Sequence, residues 1–385
     1  MSDSWSILSN DRSLLMNLEW DNRKEINYVT AIDLVAWEEI GRFELGPHVG
    51  RVVHEATLYA YNDQDGHLLA VDIRSGEATT VATWPRGVWL WDDLHVLSDG
   101  RIAALGTAST DTTDPTPEYS VFVYDPTLAA TTEIPVGEME RVNEQTGVFD
   151  GEYEIPESDS PGVAWGRDRV FIVHADGPEV LEVDVDAGVA RIHTPDLTSW
   201  WDRLWANWIP AATAKGPSLG TYSSAALSPD GRHLYISGNR QVVETAADGS
   251  LIDASEHMGL MVIDTDTWDA IDTPDLTIQF VRSSNGQVLG TDTISLQPWT
   301  DHLYLLSVGE TGTIETRGPF TNSSGLCESF ADGGHLICFE YGSTATQIQV
   351  IDIETQSTIA ERAIGSADVF HPNGVLEDWR PLTDN

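Results

Sequence analysis

Apolar residues recur at every second position in short runs along this chain, and turn residues separate the runs. In "SPDGRHLYISG" (228–238) the turn Ser228-Pro229-Asp230-Gly231 stands just before Leu234 and Ile236. Alternation of period two behind an Asp-Gly turn predicts a β-hairpin, because Gly supplies the positive φ that a tight turn needs. A second unit follows each such hinge: an apolar run ending in an acid, a turn, then another strand. Examples are "NYVTAIDLVAWEEIGRFELG" from Asn27, "HLLAVDIRSGEATTVATWP" from His67, "YSVFVYDPTLAATTEIPVG" from Tyr119 and "EVLEVDVDAGVARIHTPD" from Glu179. "GLMVIDTDTWDAIDTPDL" from Gly259 and "TQIQVIDIETQSTIAERAIG" from Thr346 continue the series. A degenerate copy, "HLYLLSVGETGTIETRG" from His302, carries Val308-Gly309 where the acid belongs, which brings the count to seven.

The acids are Asp33, Asp72, Asp125, Asp184, Asp264 and Asp352, spaced from about 39 to 80 residues with the gap near Val308. The shorter intervals match a four-stranded propeller blade, and the longer ones hold insertions. Opening hinges recur as "LSDGR" (97–101), "WGRDR" (165–169), "SSNGQ" (283–287) and "ADGGH" (331–335). Only "VVHEATLYAYN", before the second copy, lacks that turn chemistry. A four-stranded sheet cannot bury both faces alone, whereas seven packed radially can.

"SPDGRHLYISG" followed by "GLMVIDTDT" resembles the YVTN / WD40-like β-propeller repeat families. The resemblance implies an all-β, seven-bladed β-propeller of four-stranded antiparallel blades and no particular function. The expected blades are 4–47, 48–85, 86–137, 160–196, 221–276, 277–320 and 321–365, forming one domain over 1–385. Residues 366–385 are expected to close the fold, and 138–159 and 197–220 are insertions. "TASTDTTDPTPEYS" (107–120) and "RQVVETAADGSLIDASEHM" (240–258) also exceed what a blade needs.

The insertion "TPDLTSWWDRLWANWIPAATAKGPSLG" (194–220) predicts one short Trp-rich helix. Trp201, Leu204, Trp205 and Trp208 fall on one helical face, and Pro210 ends it. That face either packs down as a lid or forms, with Trp200, an aromatic platform for a protein or carbohydrate partner. Trp89 and Trp91 share one side of an extended strand in "WPRGVWLWDD" and are further candidates for ligand or partner binding.

Charge narrows the partners. Lys and Arg number 20 against 62 Asp and Glu, a net charge of −42, and only Lys24 and Lys215 are lysines. Such a field repels phosphates, so nucleic acid is not expected as a partner. The acidic surface is halophile-like, since high salt screens its self-repulsion. No run of 18 apolar residues occurs, so no membrane span is expected, and the N-terminus lacks the pattern of a signal peptide. A monomer is expected.

Chemistry-bearing motifs are sparse. "YNDQDGHLLAVD" places Asp63, Asp65, Gly66 and Asp72 in part of a calcium loop, but Tyr61 occupies the first ligand position and Asp65-Gly66 is a ready turn. No metal site or cofactor is predicted. Calcium stays open, because propeller lactonases distribute its ligands over several blades, and Asp92 and Glu328 are the nominated acids. The repeating acids Asp33, Asp72, Asp184, Asp264 and Asp352 are expected to accept hydrogen bonds from the turns that follow them. No catalytic residues are predicted. A non-enzymatic propeller binding a protein, glycan or small ligand at one rim is therefore preferred. The alternative is a channel-site enzyme of the calcium-dependent lactonase or quinone-dependent dehydrogenase type.

The two cysteines lie in "GLCESFADGGHLICF". If Phe330 faces His335 across the Ala331–Gly334 hinge, Cys327 falls opposite Cys338, close enough for a cross-strand disulfide. An oxidised pair implies an extracytoplasmic or secreted setting, and two free thiols a cytoplasmic one.

Overall fold

The structure is a computed structural model. It describes residues 4–8, 14–21, 26–33, 38–48, 50–84, 88–90, 94–108, 118–138, 162–173, 179–195, 222–245, 251–271, 278–284, 286–296, 299–309, 312–320, 326–329, 334–341 and 345–365. Among them every regular element is a strand. Blade 1 is β1 (Ser4–Leu8), β2 (Leu14–Asp21), β3 (Ile26–Asp33) and β4 (Glu38–Leu45). Blade 2 is β5 (Gly50–His54), β6 (Thr57–Asn62), β7 (His67–Asp72) and β8 (Ala78–Thr83). Blade 3 has its first strand in two pieces, β9 (Val88–Leu90) and β10 (His95–Val96), followed by β11 (Ile102–Ala108), β12 (Glu118–Asp125) and β13 (Ala130–Glu138).

Blade 4 is β14 (Gly162–Trp165), β15 (Arg169–Val173), β16 (Val180–Asp184) and β17 (Val189–His193). Blade 5 is β18 (Tyr222–Leu227), β19 (His233–Thr245), β20 (Leu251–Asp264) and β21 (Ala270–Ile271). Blade 6 is β22 (Phe280–Ser284), β23 (Gln287–Leu296), β24 (Trp299–Val308) and β25 (Ile314–Arg317). Blade 7 is β26 (Leu326–Ser329), β27 (His335–Tyr341), β28 (Ala345–Asp352) and β29 (Ser357–Gly365). Each sheet is an antiparallel meander with strands in chain order, and together they are the blades of a seven-bladed β-propeller.

The chain divides into two compact units. The first comprises Met1–Met139, Glu328–Val350 and Ile359–Asn385; the second comprises Glu140–Cys327 and Ile351–Thr358. In the first unit, period-two alternation gives each middle strand two buried faces. Leu58 and Ala60 of β6 pack with Met16, Val29 and Ala31 of blade 1, while Tyr59 and Tyr61 pack with Ile102 and Phe122 of blade 3. In the second unit β19 behaves alike. Leu234 and Ile236 face Phe171 and Val173 of blade 4, and Tyr235 faces Val288 and Leu306 of blade 6. Complete burial of such apolar side chains contributes roughly 1.5–3 kcal/mol each.

The segment 240–258 contains strand rather than loop. β19 and β20 stay paired from Asn239 opposite His257 to Thr245 opposite Leu251, beyond a register shift at Gly238. Blade 2 opens through Glu55, whose φ of 51° puts an ordinary side chain in the left-handed region that other hinges give to Gly. The segment carrying the expected Trp-rich helix lies outside the described residues, as does the closing segment 366–385. Cys327 and Cys338 form a disulfide.

Candidate functional site

The turn that opens blade 5 is unusually well tied. Gly231, at φ 74°, donates its N–H to the Ser228 carbonyl at 2.8 Å, and the His233 N–H reaches Ser228 Oγ at 2.8 Å. Ser228 Oγ in turn donates to Asp230 Oδ1 at 2.5 Å, where the Arg232 N–H also arrives at 3.1 Å. Behind the turn, the Gly231 carbonyl accepts from Thr265 Oγ1 at 2.9 Å and from Arg169 Nη2 at 3.2 Å. Arg232 Nε meets Asp264 Oδ2 at 3.1 Å. Arg169 is held by Glu182 at 3.4 Å, and the other Glu182 oxygen lies 2.7 Å from His193 Nε2. A turn fixed from both sides makes a rigid wall.

That wall bounds a groove of about 550 Å³ between blades 5 and 6. By alternation along β19, His233 projects on the same side as Tyr235, toward blade 6. The opposite wall is one row across blade 6, Val288 beside Leu306 beside Thr316. Tyr235, Val288 and Leu306 are buried and form the floor, with Asp230, His233 and Thr316 nearer the mouth. Glu315 and Arg317 border the groove but stand on the other side of β25 from Thr316. Glu315 reaches back over Gly309, where an added Cβ would collide with its Oε1.

Serine hydroxyls stitch the two blades below the groove. Ser283 Oγ accepts from the Leu227 N–H at 2.9 Å and donates to the Leu227 carbonyl at 3.0 Å. Ser224 Oγ accepts from the Val281 N–H at 2.9 Å and bonds Ser237 Oγ at 3.0 Å. Ser237 then donates to the Gln279 carbonyl.

Partial burial pushes the Asp230 carboxyl up, but the Ser228 hydroxyl, the Arg232 N–H and the nearby His233 together hold it below the usual range. It is ionised at neutral pH. Its Oδ2, and both ring nitrogens of His233, make no hydrogen bond with a described residue. Burial also lifts the Tyr235 phenol far above its ordinary value, with Asp230 adding to the effect. The groove thus combines an apolar floor with one carboxylate oxygen available to a ligand.

The repeating acids sit at the turns between third and fourth strands. Asp72 Oδ1 accepts from the N–H groups of Arg74 and Ser75 at 3.0 and 2.8 Å, and Asp125 Oδ1 from those of Thr127 and Leu128 at 2.8 and 3.1 Å. Asp184 accepts from Ala187, Asp264 from Asp266 and Thr267, and Asp352 from Thr355. Asp33 ends β3, and the four residues after it lie outside the described residues. Blade 6 has no acid there and closes through its backbone, with the Gly309 N–H on the Thr313 carbonyl and Gly312 at φ 73°.

Asp65 and Gly66 form a turn, the Gly66 N–H meeting the Asn62 carbonyl at 2.9 Å and Asp65 capping the His67 N–H at 2.9 Å. Among the described residues no group of three or more His, Cys, Asp and Glu could hold a metal ion. No helix there is long and apolar enough to cross a membrane. Trp89 lies on β9 opposite Thr107. Trp91, Asp92, Trp200, Trp201, Trp205 and Trp208 lie outside the described residues, and Glu328 lies on β26. The sequence reading missed Asp230, His233 and Thr316 as a group. "SPDG" reads as a turn alone, and nothing local announces that Thr316 stands across from it.

No protein-family model and no curated protein matches the chain. Solved structures do. The dihydro-heme d1 dehydrogenase NirN, in complex with DHE, is 13% identical with a TM-score of 0.48, over 94% of this chain and 66% of that one. Apo AztD from Citrobacter koseri is 11% identical with a TM-score of 0.46, over 94% and 86%. A putative 6-phosphogluconolactonase from Bacteroides fragilis is 12% identical with a TM-score of 0.45, over 88% and 91%. At such identities none of them lends this chain an activity. Strand order and pairing alone make it a seven-bladed β-propeller.

Proposed function

We propose that this propeller is a non-enzymatic binding protein whose ligand seats in the groove between blades 5 and 6. The observation that carries the reading is the ionised Asp230, with Oδ2 available, set over the apolar floor of Tyr235, Val288 and Leu306. A few placed polar groups over an apolar surface are the usual make-up of a small-ligand site, and this volume falls within the usual range. The clamps from Arg169, Thr265 and Arg232 hold the wall in place before any ligand arrives, which lowers the ordering cost of binding.

The test is a saturation-transfer NMR screen of charged and neutral fragments against the wild type and Thr316→Trp. The indole of the variant fills the mouth of the groove from the exposed strand β25. Fragments that bind the wild type and are lost in the variant support the reading. A set of hits unaffected by the substitution overturns it.

A further inference from the structure

We propose that the groove takes a basic side chain, Lys or Arg, presented by a partner polypeptide. This rests on the groove being the binding site.

The lining of the site, apolar below and acidic at the mouth, suits such a side chain. Lys and Arg lay an apolar stem along hydrophobic surface and keep a charged head in polar surroundings. Here the stem would run over Tyr235, Val288 and Leu306, and the head would meet Asp230 Oδ2 at the mouth. Two of the protein's own guanidinium groups nearby are already engaged. Arg169 is bound to Glu182 and the Gly231 carbonyl, and Arg232 to Asp264. Arg317 borders the groove from the other side of β25 but is not among the groups that act on the Asp230 carboxyl. None of them neutralises Asp230 from within the groove.

Long-range charge favours the same partner. A net charge of −42 draws basic polypeptides toward the surface and repels acidic ones, with an effect on encounter that fades as salt rises. A cavity of about 550 Å³ has room for the side chain and the backbone on either side of it. Bulk attraction would apply anywhere on this surface, so the experiment must separate it from the groove.

The probes are acetyl-Gly-Lys-Gly-amide, its norleucine and glutamate counterparts, and n-butylammonium, titrated at one fixed ionic strength and followed by saturation-transfer NMR. The lysine peptide should bind saturably, and at least tenfold more tightly than the norleucine and glutamate peptides. Asp230→Asn keeps a turn-capping oxygen and should weaken the lysine peptide at least tenfold. Asp99→Asn removes the same charge from the equivalent turn of blade 3 and should leave affinity unchanged. Circular dichroism and melting of each variant confirm that it is folded.

Equal weakening by both substitutions overturns the proposal, since bulk charge would then explain binding. Norleucine binding as well as lysine overturns it too. So does n-butylammonium binding as tightly as the peptide, because a free amine would then suffice. If a probe other than the lysine peptide binds and Thr316→Trp removes it, the groove reading stands and only the basic side chain falls. If no probe is sensitive to Thr316→Trp, both fall.

Discussion

The imidazole of His193 lies flat on the indole of Trp268, with ring centroids 3.6 Å apart and planes inclined by 6°. His193 ends the last strand of blade 4, and Trp268 sits in a turn of blade 5 at φ 62°, a region that bulky residues rarely adopt. The stack covers the His193–Glu182 pair, whose carboxylate also holds Arg169 behind the groove wall. Strained backbone persists only where the surroundings over-determine it. Trp268→Ala should therefore cost about 3 kcal/mol in chemical denaturation, since it removes a large packed ring and leaves the strain. A loss under about 1 kcal/mol would show that the stack is incidental.

Burial pushes His48 down from the ordinary 6.5 of a histidine to about 4, with Arg51 contributing and the Gly46 carbonyl opposing. Between those values the unfolded chain takes up a proton that the folded chain refuses. Stability should then fall as pH drops from about 6.5 to about 4, by about 3 kcal/mol in full. His48→Gln should lack this slope in denaturation curves collected across the window. An unchanged slope would rule out His48 as its source.

The turn acids act at lower pH. N–H and hydroxyl donors from Ser75 hold the Asp72 carboxyl below its ordinary range, and those from Thr127 do the same for Asp125. A depressed carboxylate stabilises the fold above its unfolded pKa, and that contribution is lost as pH falls through the folded value. Asp72→Asn retains an acceptor for the turn but cannot titrate. It should lower the melting temperature slightly at pH 7, where the charge contributes, and flatten the loss of stability below about pH 4. Similar acid limbs in variant and wild type would count against the turn as a contributor.

The Cys327–Cys338 disulfide closes a short loop within blade 7. On the chain-entropy account, a loop of this size contributes about 3 kcal/mol through the unfolded state. The denatured, unreduced protein should show no reactive thiol, and Cys327→Ala/Cys338→Ala should lower stability by about that amount. Two titratable thiols would refute the bridge.

Salt should stabilise the chain. Screening shortens the reach of repulsion among the charges that sum to −42, so the melting temperature should rise from low to molar sodium chloride. A flat profile would mean that the acids are spaced too widely to repel.

Much of the fold could be read directly because each blade is a local event. Alternation at Leu234 and Ile236, the Asp-Gly hinges and the recurring acids led to four-stranded sheets and to seven of them. Two local features escaped. Glu55 makes a turn without turn chemistry, since surrounding strands can impose a conformation that the residue alone disfavours. The β19–β20 extension has a mixed polar sequence, and ladder pairing of the backbone does not require an apolar face. The groove was harder for another reason. Tyr235, Val288 and Thr316 meet only through the packing of two blades, and no short-range pattern records which rows will face each other.

In every sheet the order of strands in space is their order along the chain. Each pairing therefore closes a loop of modest length, and the entropic cost of closure grows only slowly with length. A polypeptide emerging from a ribosome can complete one blade before the next is made. A nascent chain halted after Ile271 already holds all four strands of blade 5, including the rigid Ser228–Gly231 corner. Its far wall, Val288, Leu306 and Thr316, has yet to be synthesised. Protection of blade 5 amides should thus arise during translation well before a basic peptide has anywhere to dock.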